Sequence, residues 1–520
     1  MKIKWQDSRL AFLVAYATGL SERFAIKMID KLMSLLMMLE GQETKSETME
    51  QNMPRRYPFN NLMLKGGGVK CMARPEWVFT ILALAVGLYM VFVTGPFQAP
   101  DEVNHFFRAY QIGEGRLLST RVGQRVGGWL PKDVACTAVS FDDVPFHPDR
   151  RIDTALLAAL LVKRPLDGGE RIFVDFANTA RYVPIVYLPQ AAGIAIGRCF
   201  GLSVLAGTYV GRLLCLFCWM CLVWIAIRMT PVFKWVIVLV ALMPMSLFLA
   251  ASLSADPLIN GTSILLTALV LRGAMGEGER VDLGTCIAIA GLCIILSSAK
   301  LVYAPLSALV AIIPSRRLGG HTCKAAYCGG VLAAGLAAAV LWGLETRKIY
   351  VDLYGSDATL QLMLIRTSPG TFAKALLNAL SLYWWAMVKE FVGLLGWQDT
   401  RLPTWIWKTY PWALFMTAFL DSGEGRPVGT WQKAWLWGIC LLGFLLIATA
   451  IYLTCTQPGA PVVEGIVGRY LIPFAVPALL LFDNRRFALK NRLPLGAALT
   501  VYSAAVLGTT CLKLYVRYYG

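Results

Sequence analysis

Apolar stretches close to the length of a membrane span recur along the chain from residue 77 to residue 513, and this recurrence constrains the fold more than any other feature. The hydrocarbon core of a bilayer is about 30 Å thick, so a helix rising about 1.5 Å per residue crosses it in roughly 20 residues. Spanning helices are expected at 77–95, 207–227, 232–252, 257–274, 282–299, 301–314, 325–344, 402–420, 435–454, 466–482 and 494–513, eleven in all. Hydrophobic residues make up 57% of the chain and charged residues only 16%, too few to coat a soluble domain of this size. The apolar runs do not alternate with polar residues, which excludes the strands of an outer-membrane barrel. Soluble-enzyme, fibrous and disordered classes fall away with it, and the expected class is an all-α polytopic membrane protein.

The chain carries 49 basic and 32 acidic residues, a formal charge of +17. In a polytopic protein such an excess belongs to cytoplasmic connectors rather than to a nucleic-acid surface, so no nucleic-acid partner is expected. Two further apolar segments, 184–203 and 374–397, test this. If both are non-crossing, the basic connectors at 228–234, 315–324 and 483–492 all fall inside; if both cross, the first two move outside. Both segments are therefore read as re-entrant or interfacial elements. This places the N-terminus in the cytoplasm and the C-terminus outside. The 13 cysteines lie mostly in or beside apolar runs and form no disulfide framework, and three histidines cannot build a histidine-rich metal centre.

Residues 1–73 are read as a cytoplasmic segment whose Met-rich stretch 31–40 suits an interfacial helix, and residues 74–513 as the membrane domain. That domain leaves two long outer segments, 96–183 and 345–401. The first holds 11 basic and 11 acidic residues and reads as a folded cap with short helices. Long loops in an otherwise economical chain are where chemistry is expected.

The strongest local signal is PDEVNHFFRAYQIGEG at 100–115, just beyond the first apolar stretch. Asp101 and Glu102 follow Pro100, and on a helix starting there Asp101, His105 and Arg108 share one face. A carboxylate at that position suits a general base, but the same residues equally suit a helix cap. Asp256, within ASLSADPLINGTS, is an ionisable group at a span boundary, where such residues line cavities or cap helices. Lys300 is the lone basic residue in a tight outer connector and suits a phosphate or carboxylate, or a snorkelling anchor. Arg469 and Tyr470 open the tenth span, and a guanidinium there is costly unless paired with an anion from the protein or from a ligand. Six of the 16 tryptophans fall within 384–412, where Trp397 and Asp399 suit a sugar-stacking surface as well as an interfacial belt.

The order PDEVNHFFRAYQIGEG, VPIVYLPQAAGIAIGRCFGLSV, ALMPMSLFLAASLSADPLING, LGWQDTRLP and GRYLIPFAVP resembles a bacterial family of polytopic proteins catalogued as a domain of unknown function and grouped with the GT-C glycosyltransferases. The likeness covers roughly residues 75–513. More distantly the layout is similar to protein O-mannosyltransferases and lipid A aminoarabinose transferases. The resemblance implies a GT-C-like fold in the bacterial cytoplasmic membrane. It also implies a polyprenyl-phosphate sugar donor and a glycan or lipid acceptor, met among the membrane lipids on the outer face.

Carried over to this chain, Asp101 is the matching catalytic carboxylate, with Glu102 holding His105 or a divalent cation, magnesium or manganese. Arg108, Asp256, Lys300, Arg469, Tyr470, Trp397 and Asp399 would bind substrate. A transporter or flippase of lipid-linked glycans is the rival reading, with a non-catalytic assembly protein behind it. Convergence of Asp101, Asp256, Lys300 and Arg469 in one outer cavity favours transfer, whereas a charged path through the bundle favours transport.

Overall fold

The computed structural model describes residues 74–163, 169–276, 278–422, 428–484, 486–489 and 491–520. The segment 1–73, with its expected interfacial helix, lies outside the described residues. The chain is mostly helical. It opens with α1 (Pro75–Val93), α2 (Glu102–Gly113), β1 (Thr120–Val122), β2 (Arg125–Pro131), α3 (Lys132–Val139), α4 (Thr154–Val162) and β3 (Arg171–Asp175). A 3-10 turn at Pro184–Tyr187 leads into α5 (Leu188–Cys199), α6 (Val204–Met229), α7 (Lys234–Ala241), α8 (Pro244–Ala250), α9 (Asp256–Met275) and α10 (Leu283–Ala299). After a 3-10 helix at Leu301–Ile312 come α11 (His321–Glu345), α12 (Ala358–Thr367), α13 (Pro369–Val392), the hairpin β4 (Leu394–Leu395) and β5 (Thr400–Arg401), α14 (Thr404–Leu420) and α15 (Thr430–Cys455). A later 3-10 helix, Gly468–Phe474, precedes α16 (Ala475–Leu479) and α17 (Leu493–Tyr518).

Among the described residues six helices are long and apolar enough to cross a membrane: α1, α6, α9, α11 with its 3-10 extension to Ile349, α15 and α17. These correspond to six of the eleven expected spans; among the other apolar runs several are broken or short as α-helix. Residues 232–252 split at Leu242 and Met243, ahead of Pro244; the run at 301–314 is a twelve-residue 3-10 helix containing Pro305; and 466–482 is interrupted around Pro473. Proline removes a backbone donor and crowds the preceding turn, so apolar content persists where the α-helix does not. The segment at 188–199 makes a helix of only 12 residues, about 18 Å long. Residues 369–392 form one helix of 24 residues that is not among the six.

The long segment after α1, expected as a folded cap with short helices, holds more than helices. Beside its short helices it contains a three-stranded antiparallel sheet, ordered β1-β2-β3, with Trp129 opposite Phe173 and Gly127 opposite Asp175. A Cβ at Gly127 would collide with the Val174 carbonyl, so the glycine permits the strands to close. The far end of α17 fastens this segment: Tyr518 accepts from the Ile152 amide at 2.9 Å, and Arg517 donates to the carbonyls of Arg150 and Val144.

Close backbone packing sets the position of everything near α2. Gly193 and Gly197 of α5 face Gly211 and Gly207 of α6, where a Cβ on Gly193 would lie 2.6 Å from the Gly211 Cα. Paired small residues four apart let two helices approach this closely without a polar contact. The result delivers Arg212 of α6 to the end of α1, where its guanidinium donates to the carbonyls of Val91, Thr94 and Gly95 and to both oxygens of Glu102. The unpaired carbonyls at a helix C-terminus are thereby satisfied by one buried cation.

Candidate functional site

Beyond α1 the chain turns through Phe97 and Asp101, both in the left-handed region at φ 62° and 59°. Such a backbone costs about 1–2 kcal/mol for most residues and is better tolerated by aspartate and asparagine. Asp101 occupies the position before α2, yet its side chain makes no capping hydrogen bond. Its carboxylate turns outward instead, accepting from Asn178 Nδ2 at 3.2 Å and from Arg469 Nη2 at 3.4 Å.

Four of the residues expected at the site meet here. Arg469 Nε lies 3.9 Å from Asp256 Oδ2, and Lys300 Nζ lies 3.2 Å from Asp256 Oδ1. Asp101, Arg469, Asp256 and Lys300 thus form one chain of alternating charge, two negative and two positive. Each is delivered by a different element. Asp256 begins α9 immediately before Pro257; Lys300 sits between α10 and the following 3-10 helix; Arg469 stands on the 3-10 helix at 468–474. That last helix is pressed onto α13, where Glu390 accepts the Gly468 amide at 2.8 Å and a Cβ at position 468 would collide with the Met387 carbonyl. The Lys300 ammonium lies between two rings, 4.8 Å from the centroid of Tyr470 and 5.1 Å from that of Tyr182, an arrangement that stabilises a cation while leaving room for an anion.

Asp101 and Lys300 border a cavity of about 430 Å³, and Arg469 and Asp256 pair with them. Asp101, His105, Asn178, Tyr182, Lys300 and Tyr470 line its polar part. The opposite wall is apolar and comes largely from α15, where Ile447, Ala450, Ile451, Thr454 and Cys455 fall on one helical face. Residues 349–354, including Tyr350 and the exposed Tyr354, cover it. Arg181 lies 5.0 Å from the Tyr350 ring and Arg121 donates to the Tyr350 carbonyl, tying this cover to the segment that follows α1.

His105 is buried in the wall with its Nδ1 2.6 Å from the Tyr187 hydroxyl. Burial lowers its pKa to about 4, against the opposing pull of Asp101 and Asp256, so it is a neutral hydrogen-bonding group at neutral pH. Burial likewise pushes Tyr182 up to about 12, and its phenol stays protonated.

Several expected roles are not met. Glu102 does not touch His105: it is fully buried and spent on Arg212, with contacts of 2.8 and 2.6 Å, and on the amides of Ala99 and Leu253. The pair Asp101 and Glu102 therefore does not fit magnesium or manganese, since one carboxylate is saturated and the other faces a guanidinium. Among the described residues no group of three or more His, Cys, Asp and Glu is placed to hold a metal ion. Arg108 turns away from Asp101, bonding Gln111 at 2.6 Å, Ser119, and the carbonyls of Leu117 and Tyr182. Trp397 and Asp399 also lie elsewhere. Trp397 donates to the Phe97 carbonyl and packs on Phe146, while Asp399 pairs with Arg517 at 2.7 Å. None of the six tryptophans at 384–412 lines the cavity. Conversely, Arg212 and the tyrosines at 182, 187 and 350 were not expected; an arginine inside an apolar run was the one available signal for the first.

The family model for predicted membrane proteins designated DUF2142 matches residues 84–478, so the chain belongs to that family. No curated protein and no solved structure matches it.

Proposed function

We propose that the protein transfers a sugar from a polyprenyl-phosphate donor to a hydroxyl of an envelope glycan or lipid on the outer face of the bacterial cytoplasmic membrane. One observation carries the reading. The cavity is lined by Lys300 and by Asp101, the carboxylate that pairs with Arg469, and it reaches the apolar face of α15, a helix long and apolar enough to cross a membrane. A lipid-linked phosphate needs both, because its charge must meet cations while its tail remains in hydrocarbon. A volume of 430 Å³ is that of a small-molecule site, within the usual range of about 300–1,000 Å³.

In the proposed reaction Asp101 accepts the proton of the acceptor hydroxyl as its oxygen bonds to the anomeric carbon. The bond from that carbon to the phosphate oxygen breaks, and its electron pair leaves with the polyprenyl phosphate. Lys300 and Arg469 stabilise the growing charge on the leaving oxygen, the usual role of preorganised cations in such a step. His105, neutral and held by Tyr187, supplies a hydrogen bond at the edge of the site. The GT-C-like fold, the outward-facing site and the eleven-span arrangement belong to this same proposal.

The clustering of the four charges also separates this reading from transport. On α9, which descends from Asp256, no charged residue occurs from Pro257 to Leu271. The test is a reconstituted assay in which a polyprenyl-phosphate sugar and candidate acceptors are supplied and released polyprenyl phosphate is measured by mass spectrometry. Acceptor-dependent release by the wild type and its loss in Asp101→Asn are expected. Full activity in that variant would remove the base, and a protein that retains no polyprenyl phosphate would remove the donor class.

A further inference from the structure

The two carboxylates of the charge chain are not equivalent. Asp256 is fixed: it begins a spanning helix, its amide donates to Ser254 Oγ at 3.2 Å, its side chain is only 13% exposed, and it faces both cations. Asp101 is loose: its side chain is 33% exposed, it caps no helix, and it meets Arg469 through a single long contact of 3.4 Å. Arg469 is correspondingly underused. Its Nε is buried without a hydrogen-bond acceptor although Asp256 stands 3.9 Å away, too far and too poorly aimed for one. A guanidinium presents a planar fork that takes two oxygens of an oxyanion together, and neither carboxylate supplies that here.

We propose that Asp101 is a placeholder anion on Arg469, that the phosphate of the lipid donor displaces it, and that this exchange is what frees Asp101 to act as the base. The inference rests on the donor class proposed above. The four charges sum to zero, so an entering phosphate would otherwise add a negative group beside a carboxylate. Exchange removes that repulsion. Phosphate oxygens take the Arg469 fork and the ammonium of Lys300, while Asp256 remains behind both as their fixed counter-ion and positioning residue. Asp101, still hydrogen-bonded by Asn178, swings to the acceptor side of the cavity. Base and donor then arrive together: the carboxylate is neutralised by Arg469 until the leaving group is seated, which imposes an order of donor before acceptor. The proton taken from the acceptor resides on Asp101 after transfer, and the departing phosphate keeps the electron pair of the broken bond.

The experiment compares binding of a long-chain polyprenyl monophosphate by the wild type, Asp101→Asn and Asp256→Asn in detergent, read by native mass spectrometry and by fluorescence titration. Asparagine suits the left-handed backbone at position 101, so the first variant keeps the fold. Loss of the competing anion should tighten binding about fivefold or more, the equivalent of one partly exposed ion pair. Asp256→Asn adds the same charge but should not tighten binding. Glu464→Gln, which alters an exposed carboxylate beside the 3-10 helix, repeats that control should the Asp256 variant not fold. Unchanged or weaker binding by Asp101→Asn overturns the exchange, as does equal tightening in all variants, which would mark a net-charge effect. If neither the wild type nor Asp101→Asn retains the lipid, the donor reading fails and the exchange with it.

Discussion

Asp101 and Glu102 are neighbours in sequence with opposite surroundings. Glu102 accepts from two backbone amides and from two nitrogens of Arg212, and neither it nor Arg212 meets solvent. Asp101 accepts two contacts, both longer than 3 Å, and borders a cavity. The comparison separates two uses of buried charge. A saturated pair ties elements together and offers nothing to a ligand, whereas a slack pair holds binding capacity in reserve. The left-handed turn at Asp101 produces the difference, because it points one carboxylate into the bundle and its neighbour toward the opening.

The most severe way to break the comparison is Arg212→Met. It strands Glu102 without its cation and frees the carbonyls at the end of α1, and a loss of about 3–5 kcal/mol is expected from thermal unfolding in detergent. Adding Glu102→Gln should recover much of that loss, since no uncompensated charge remains; a double variant as unstable as Arg212→Met would contradict the pairing. Asp101→Asn should show the reverse profile, with a melting temperature near that of the wild type and transfer reduced at least about 100-fold, or about 2.7 kcal/mol. A third carboxylate sharpens the contrast. Asp399→Asn loosens the buried Arg517 pair and should cost about 2 kcal/mol of stability while leaving affinity for polyprenyl phosphate intact; weakened lipid binding at full stability would return Asp399 to the site.

The smallest effect concerns pH. His105 is neutral when folded, with a pKa of about 4 against 6.5 for the free side chain, so the unfolded chain binds more protons between these values. Its contribution is complete above pH 6.5 and is lost as pH falls toward 4. His105→Gln should flatten the fall in melting temperature across that window, and an unchanged slope would place the titration on other groups.

Much of the candidate site was legible because charge is conspicuous in an apolar chain. Asp256, Lys300 and Arg469 each stand at the edge of a hydrophobic run, and Asp101 follows the first, so their sharing of one end could be argued from segment order. Their distances could not, since these depend on where the 3-10 helix at 468–474 packs. Arg212 was hidden inside a run read as a plain span, and the glycines that bring it to α1 become meaningful only when α5 is seen to lie along α6. Trp397 and Asp399 lie away from the cavity, and the reason is physical. Aromatic and acidic residues in a long connecting segment serve sugar stacking and hairpin clasping equally, and the positive φ of Gly396 and Gln398, which closes the hairpin, is not written in residue types. At prolines the apolar runs 232–252, 301–314 and 466–482 are not continuous α-helices, because hydropathy is blind to a broken hydrogen-bond ladder.

The clasp of Arg517 on the carbonyl of Val144 joins residues 373 positions apart. At roughly 5–20 residues per second of synthesis, the segment around Val144 waits tens of seconds for its fastener. During that interval residues 144–152 lack their anchor on α17, although the Glu102–Arg212 knot can already form. Completion of the folded segment after α1 is therefore a late event in biogenesis. Shortening the last helix should yield a protein that inserts normally yet exposes residues 140–152 to protease.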